Sequence, residues 1–196
     1  HKEYRRQRQM CIRDSHPCVG FDNRKATIQM TNYIMDMGHR DIAVIVGICK
    51  DNDRATQRLE GVRQAMQAHG LTLRPEHIIE SRYTIESGRH AMRRLLALPN
   101  QPTAVLTGSD VLAFGALSEC KAQAIDVPRQ ISIIGFDDME FAAHMEPPLT
   151  TLQIPVVQMG QMAADYLLAV VNGEPHYDQI ELETRLVIRK TTAHPF

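Results

Sequence analysis

The feature that most constrains this chain is a regular alternation, from about Asp22 to Phe136, of helix-period apolar stripes with short β-branched runs. Ala26, Met30, Ile34 and Met37 recur at helical spacing, and Gly38 follows as a stop. IAVIVG at 42–47 is short and β-branched, as suits a strand buried on both faces. Ala55, Leu59, Val62 and Met66 trace a second helix closed by Gly70, and HII at 77–79 reads as the next strand. A helix over 84–98, stopped by Pro99, leads to AVLT at 104–107, and a helix over 110–122 leads to ISIIGF at 131–136. Strand and helix in turn, without hairpin signals, predict right-handed βαβ crossovers and a parallel sheet covered by helices on both faces. After Thr151 the order changes to a short LQI, a helix over 156–171 ended by Asn172-Gly173, and a last strand near 186–188.

Composition excludes several classes. With 196 residues, 43% hydrophobic and 23% charged, the chain can bury a core without disulfide or metal. No apolar run approaches the ~18 residues of a membrane span, and the first ten residues lack a signal-peptide core, so a cytoplasmic address is expected. Cys11, Cys18, Cys49 and Cys120 have no close paired spacing, so they read as ordinary buried thiols and no metal or other cofactor is expected. A net charge of −1 disfavours gripping a phosphate backbone with this chain alone. The one basic cluster, Arg5, Arg6 and Arg8, lies in a segment without apolar periodicity.

Nine histidines raise the question of catalysis, but there is no His-x-x-x-His pair, Gly-x-Ser-x-Gly elbow or phosphate-cradling glycine loop. No catalytic residue is therefore assigned. His39 reads as a helix-end residue meeting the dipole and the last carbonyls.

Ligands of open parallel sheets bind beyond the carboxyl ends of the strands, where loops are free and helix N-termini point inward. Each strand here leads to polar residues at that end: Asp51, Asn52, Asp53 and Arg58 after the first, Arg82 and Tyr83 after the second, Ser109 and Asp110 after the third, Asp137 and Asp138 after the fourth. Carboxylate, guanidinium and hydroxyl groups suit vicinal hydroxyls, and an aromatic ring covers the C–H face of a sugar. Each residue has a plainer reading as well. Ser109 or Asp110 could simply cap a helix, Asp137 and Asp138 could be solvated, Tyr83 could pack on the domain edge, and Arg58 could lie on an outer face. Their common position at one end of one sheet is what favours a site.

Seven ordered blocks carry a family resemblance: PCVGFDN at 17–23, MGHRDIAVIVG at 37–47, RLEGVRQAM at 58–66, PTAVLTGSDVLAFGAL at 102–117, VPRQISIIGFDDME at 127–140, PPLTTLQIP at 147–155 and MGQMAADYLL at 159–168. Over residues 16–192 the chain resembles the effector-binding region of lactose/galactose-type repressors. The resemblance implies a periplasmic-binding-protein-like α/β fold of two lobes crossed three times by the chain, joined in the full protein to a helix-turn-helix headpiece. It implies that 22–151 is a complete C-terminal lobe, 16–21 a remnant of a mostly missing N-terminal lobe, 152–180 its returning segment, and 181–196 the final strand and tail. Residues 1–15 are read as an unstructured or foreign tail.

Carried over motif by motif, the resemblance makes Arg58 the arginine that bonds the effector, Tyr83 the stacking aromatic, Asp137 the carboxylate that accepts hydroxyls, and Phe21 an apolar pocket residue. Ser109 stands where the family usually has Asn, and Ile154 where some members have a polar residue. Phe114, His144 and Met145 match a homodimer interface. The implied function is allosteric: a sugar or sugar acid binds between lobes and shifts the affinity of the headpiece for operator DNA. A periplasmic-type sugar-binding protein of a transporter is the alternative. With one wall of the cleft present, weak effector binding is expected, and the apolar side of the 156–171 helix (Val157, Met159, Ala163, Leu167, Val171) is expected to be exposed or docked opportunistically.

Overall fold

The computed structural model describes residues 18–174 and 179–195, so the expectation for residues 1–15 lies outside the described residues. The chain divides into two compact units, Asn23–Gln153 with Arg185–Phe196, and His1–Asp22 with Ile154–Thr184.

The larger unit is built on a six-stranded sheet. Its strands are β2 (Ile42–Gly47), β3 (Ile78–Ser81), β4 (Ala104–Thr107), β5 (Ser132–Asp137), β6 (Thr150–Gln153) and β8 (Arg185–Val187), ordered β3-β2-β4-β5-β6-β8. Between them run α1 (Asn23–Asp36), α2 (Asp53–Ala68), α3 (Ile85–Leu96) and α4 (Asp110–Ala122). All six residues of β2 are buried, as the continuous apolar run demanded. Ala43, Ile45, Ile79, Val105 and Ile133 form one core with α3 and α4. By the two-residue period of a strand, the equally buried Val44, Val46, Leu106, Ile134 and Phe136 face the opposite layer, where α1 and α2 pack together.

Each helix pair is held closely by glycine. A Cβ at Gly115 of α4 would overlap the Ile85 carbonyl of α3, and one at Gly61 of α2 would overlap the Thr27 hydroxyl of α1. The expected stops at Gly38, Gly70 and Gly173 are all present at positive φ.

Helix starts follow side-chain capping. Asn52, Thr84 and Ser109 accept hydrogen bonds from the first-turn amides of Ala55, Ser87 and Val111.

The sheet is parallel as expected except at one edge: β8 runs antiparallel to β6, pairing Gln153 with Arg185 and Thr151 with Val187. The chain leaves this unit at the carboxyl end of β6 and re-enters it at that same end, which fixes the opposite direction. No hairpin signal marks the pair because Ile154–Thr184 intervenes.

The smaller unit pairs β1 (Cys18–Gly20) with β7 (Gln179–Glu181) in parallel and carries α5 (Val156–Asn172). No residue of α5 is buried; Val157, Leu167 and Val171 are exposed, and Met159 and Ala163 are half-buried.

Candidate functional site

Arg58, Tyr83, Ser109 and Asp137 meet at the carboxyl end of the larger sheet. Arg58 reaches in from the first half of α2 and is 8% exposed. Its guanidinium lies 3.8 Å from the centre of the Phe136 ring, a cation–π contact on the last apolar residue of β5. Its Nε donates to Asn23 Oδ1 at 2.8 Å and its Nη1 to the Gly108 carbonyl at 2.5 Å, and a further side-chain hydrogen bond joins the guanidinium to Tyr83. Burial draws the arginine below its ordinary pKa, opposed by Tyr83 and Asp137.

Tyr83 follows β3 and lies across the end of β2: a Cβ at residue 47 would overlap its phenol, so glycine there makes room for the ring. The residue is 41% exposed, yet its hydroxyl end is sheltered between Gly47 and Arg58. Burial therefore pushes the phenol above its ordinary value, with the Arg58 charge pulling it back.

Asp137 ends β5 with φ of 126°, and Asp138 follows with φ of 57°, two consecutive non-glycine residues in the left-handed half of conformational space. The Asp137 carboxylate accepts from the Ser109 hydroxyl at 2.9 Å and from the Asp110 amide at the start of α4. Burial raises its pKa, while the Ser109 hydrogen bond, then the Arg58 charge, pull it back. Ser109 is thus both cap and partner, and its single proton is committed to Asp137.

The neighbouring acids have other duties. Asp110 is fully buried, accepts from the Thr151 hydroxyl at 2.6 Å and the Met139 amide at 2.7 Å, and is pushed up to about 6 by burial. Asp138 receives Arg189 Nη2 at 2.7 Å on one oxygen and Gln153 Nε2 at 2.8 Å on the other. Asn52 is the cap of α2. Asn23, Gly47, Gly108, Phe136, Gln153 and Arg189 are supporting residues that the sequence reading did not single out. Of these, Asn23 in the FDN block and Gly47 at a strand end carried a readable signal.

Phe21 belongs to the other unit, directly after β1, so the cluster of four is built within the larger unit alone. Phe114, assigned by the resemblance to a homodimer interface, is 9% exposed and already covered within the chain by the α3–α4 core. Met145 packs on the same core, and His144 is exposed. His39 also departs from expectation. Its ring bonds Thr103 Oγ1 at 2.9 Å and the Ala193 carbonyl at 2.8 Å rather than the carbonyls that end α1. Among the described residues, no group of three or more His, Cys, Asp or Glu could hold a metal ion.

A family-wide profile described as "Periplasmic binding protein-like domain" matches residues 31–192. The chain belongs to this family, in the form carried by lactose-repressor-type regulators. It is 38% identical over 177 residues to the HTH-type transcriptional repressor CytR of Escherichia coli (strain K12), covering 90% of this chain and 52% of that protein. The chain therefore spans about half the length of the curated relatives it matches. Its fold superposes with a TM-score of 0.87 on a LacI-family regulatory protein from Chloroflexus aggregans, 30% identical, over 94% of this chain and 66% of that one. A complex of the transcriptional regulator CelR with cellobiose matches at a TM-score of 0.85 and 32% identity, over 91% and 54% of the two chains.

Proposed function

We propose that this chain is the effector-sensing part of a cytoplasmic transcriptional repressor, taking a sugar or sugar acid against the carboxyl end of its larger sheet. The observation that carries the reading is the convergence of Arg58, Tyr83, Ser109 and Asp137 there. Asp137 can accept hydroxyl protons, the five N–H groups of the Arg58 guanidinium can donate, and the half-exposed face of Tyr83 can cover a sugar ring. Ser109, in this reading, steadies Asp137. The regulators named above support the reading, and CelR is a relative solved with a disaccharide.

Occupancy would act by favouring one conformation of the full-length protein, a coupling of typically ~1 to 3 kcal/mol, or about 5- to 150-fold in operator affinity. A homodimer using the surface around His144 and Met145 is part of the proposal, and the exposed Met139 and Phe141 beside them supply apolar area for it.

The test is a thermal-shift screen of the full-length protein against hexoses, disaccharides including cellobiose, and sugar acids, repeated with Asp137→Asn and Tyr83→Ala. A stabilising ligand whose effect disappears in both variants is expected. One whose effect survives both would put the site elsewhere.

A further inference from the structure

Asp137 and Asp138 pose a structural question that the binding reading leaves open: what holds two adjacent aspartates at φ of 126° and 57°? Such conformations are costly and persist only where surrounding structure over-determines them. The surroundings here are specific. Asp138 is held on both carboxylate oxygens, by Arg189 and by Gln153. The ion pair is sheltered, with side chains 19% and 10% exposed. Arg189 is in turn fixed at its other end: Nη1 donates to the Leu149 carbonyl at 2.8 Å, and its backbone amide donates to Thr150 Oγ1 at 2.9 Å. Gln153 is the ladder partner of Asp137 and the last residue of β6, while Arg189 lies just beyond β8, on the far side of the intervening unit in sequence. The turn is thus clamped from the outer edge of the sheet, opposite the Ser109 hydroxyl and Asp110 amide that receive the Asp137 carboxylate.

We propose that Arg189 is a positioning residue: by clamping Asp138, it keeps the left-handed turn that presents the Asp137 carboxylate at the site. The importance of that carboxylate rests on the effector-binding reading above, whereas the clamp itself does not. Arg189 touches neither Ser109 nor the open side of Asp137 and acts only through the backbone of the turn.

The experiment follows the Asp137 and Asp138 carboxyl carbons by NMR through a pH titration of the chain, in the parent and in Arg189→Leu and Arg189→Lys. If the clamp positions Asp137, losing it lets the carboxylate turn out to water. Its titration midpoint then falls toward the ordinary aspartate value, with Arg189→Lys intermediate because a point charge keeps the pairing but not the fork. A change confined to Asp138, with Asp137 titrating as in the parent, would overturn the proposal and leave a local ion pair. Loss of the folded spectrum in both variants would also overturn it, by making Arg189 a support of the whole sheet. No ligand is needed, so a failed ligand screen would sink the role of Asp137 without touching this result.

Discussion

Two helices of similar apolar character meet opposite ends. α4 is buried at nine of its thirteen positions, between α3 and the sheet, whereas α5, with seventeen residues rich in Val, Leu, Met and Ala, buries none. The difference does not lie in the side chains. α4 has Gly115 where the backbone of α3 presses against it, while Gly160 of α5 has open space around it. Apolar content makes a helix able to be buried, but a facing surface of matching shape is what buries it.

The contrast can be tested position against position. The largest effect is expected from Leu112→Ala in α4, where the fully buried side chain leaves a cavity: urea unfolding should show a loss of about 2 to 5 kcal/mol. The same change at Leu167 of α5 should stay within ~0.5 kcal/mol, because the residue is already 63% exposed. An equal loss at both positions would erase the distinction between the helices.

Next come the glycines. Gly115→Ala forces α3 and α4 apart and should cost about 1 to 3 kcal/mol. Gly160→Ala meets nothing and should stabilise α5 by roughly 0.5 to 1 kcal/mol, through the lower backbone entropy of alanine in the unfolded chain. Helicity followed by circular dichroism during thermal unfolding would register both, and opposite signs are the expected result.

The smallest effect is a pH dependence confined to the larger unit. Burial lowers the pKa of His39 below its ordinary 6.5, so the folded state prefers the neutral ring. Its contribution is present above pH 6.5 and is lost as pH falls below that value. Asp110, raised to about 6, acts in the opposite sense, since the folded state takes up its proton before the unfolded chain does and gains stability below about pH 6. The difference in stability between the parent and His39→Gln, measured from pH 7.5 to 5, isolates the histidine. A difference that does not change across that range would show that the ring is not held neutral by burial.

Much of the larger unit was legible because its signals are local. Continuous β-branched runs, helical stripes and glycine stops act within a few residues, and their alternation alone implied the crossovers. The direction of β8 was not legible, since it depends on where the chain re-enters the sheet after an excursion through the other unit. His39 was misread for a related reason: its backbone does end α1, by donating to the Ile34 carbonyl, but its ring turns to partners 64 and 154 residues away. At the site, Arg58, Tyr83, Ser109 and Asp137 could be named because each follows a strand, yet apart from Asn23 and Gly47 the residues that orient them left no local signal. Arg189 lies 51 residues from Asp138, in a segment whose own pattern says only that a strand is ending.

By itself, then, the amino-acid order determined the alternating strands and helices of the larger unit and which polar groups stand at the open end of its sheet, because these depend on short-range periodicity and capping. Tertiary structure decided which way the last strand runs, where the His39 ring finds its partners, and which residues hold Asp138 in its turn. Each of those is settled by contacts between segments far apart in sequence, and such contacts come into being only when the sheet is assembled.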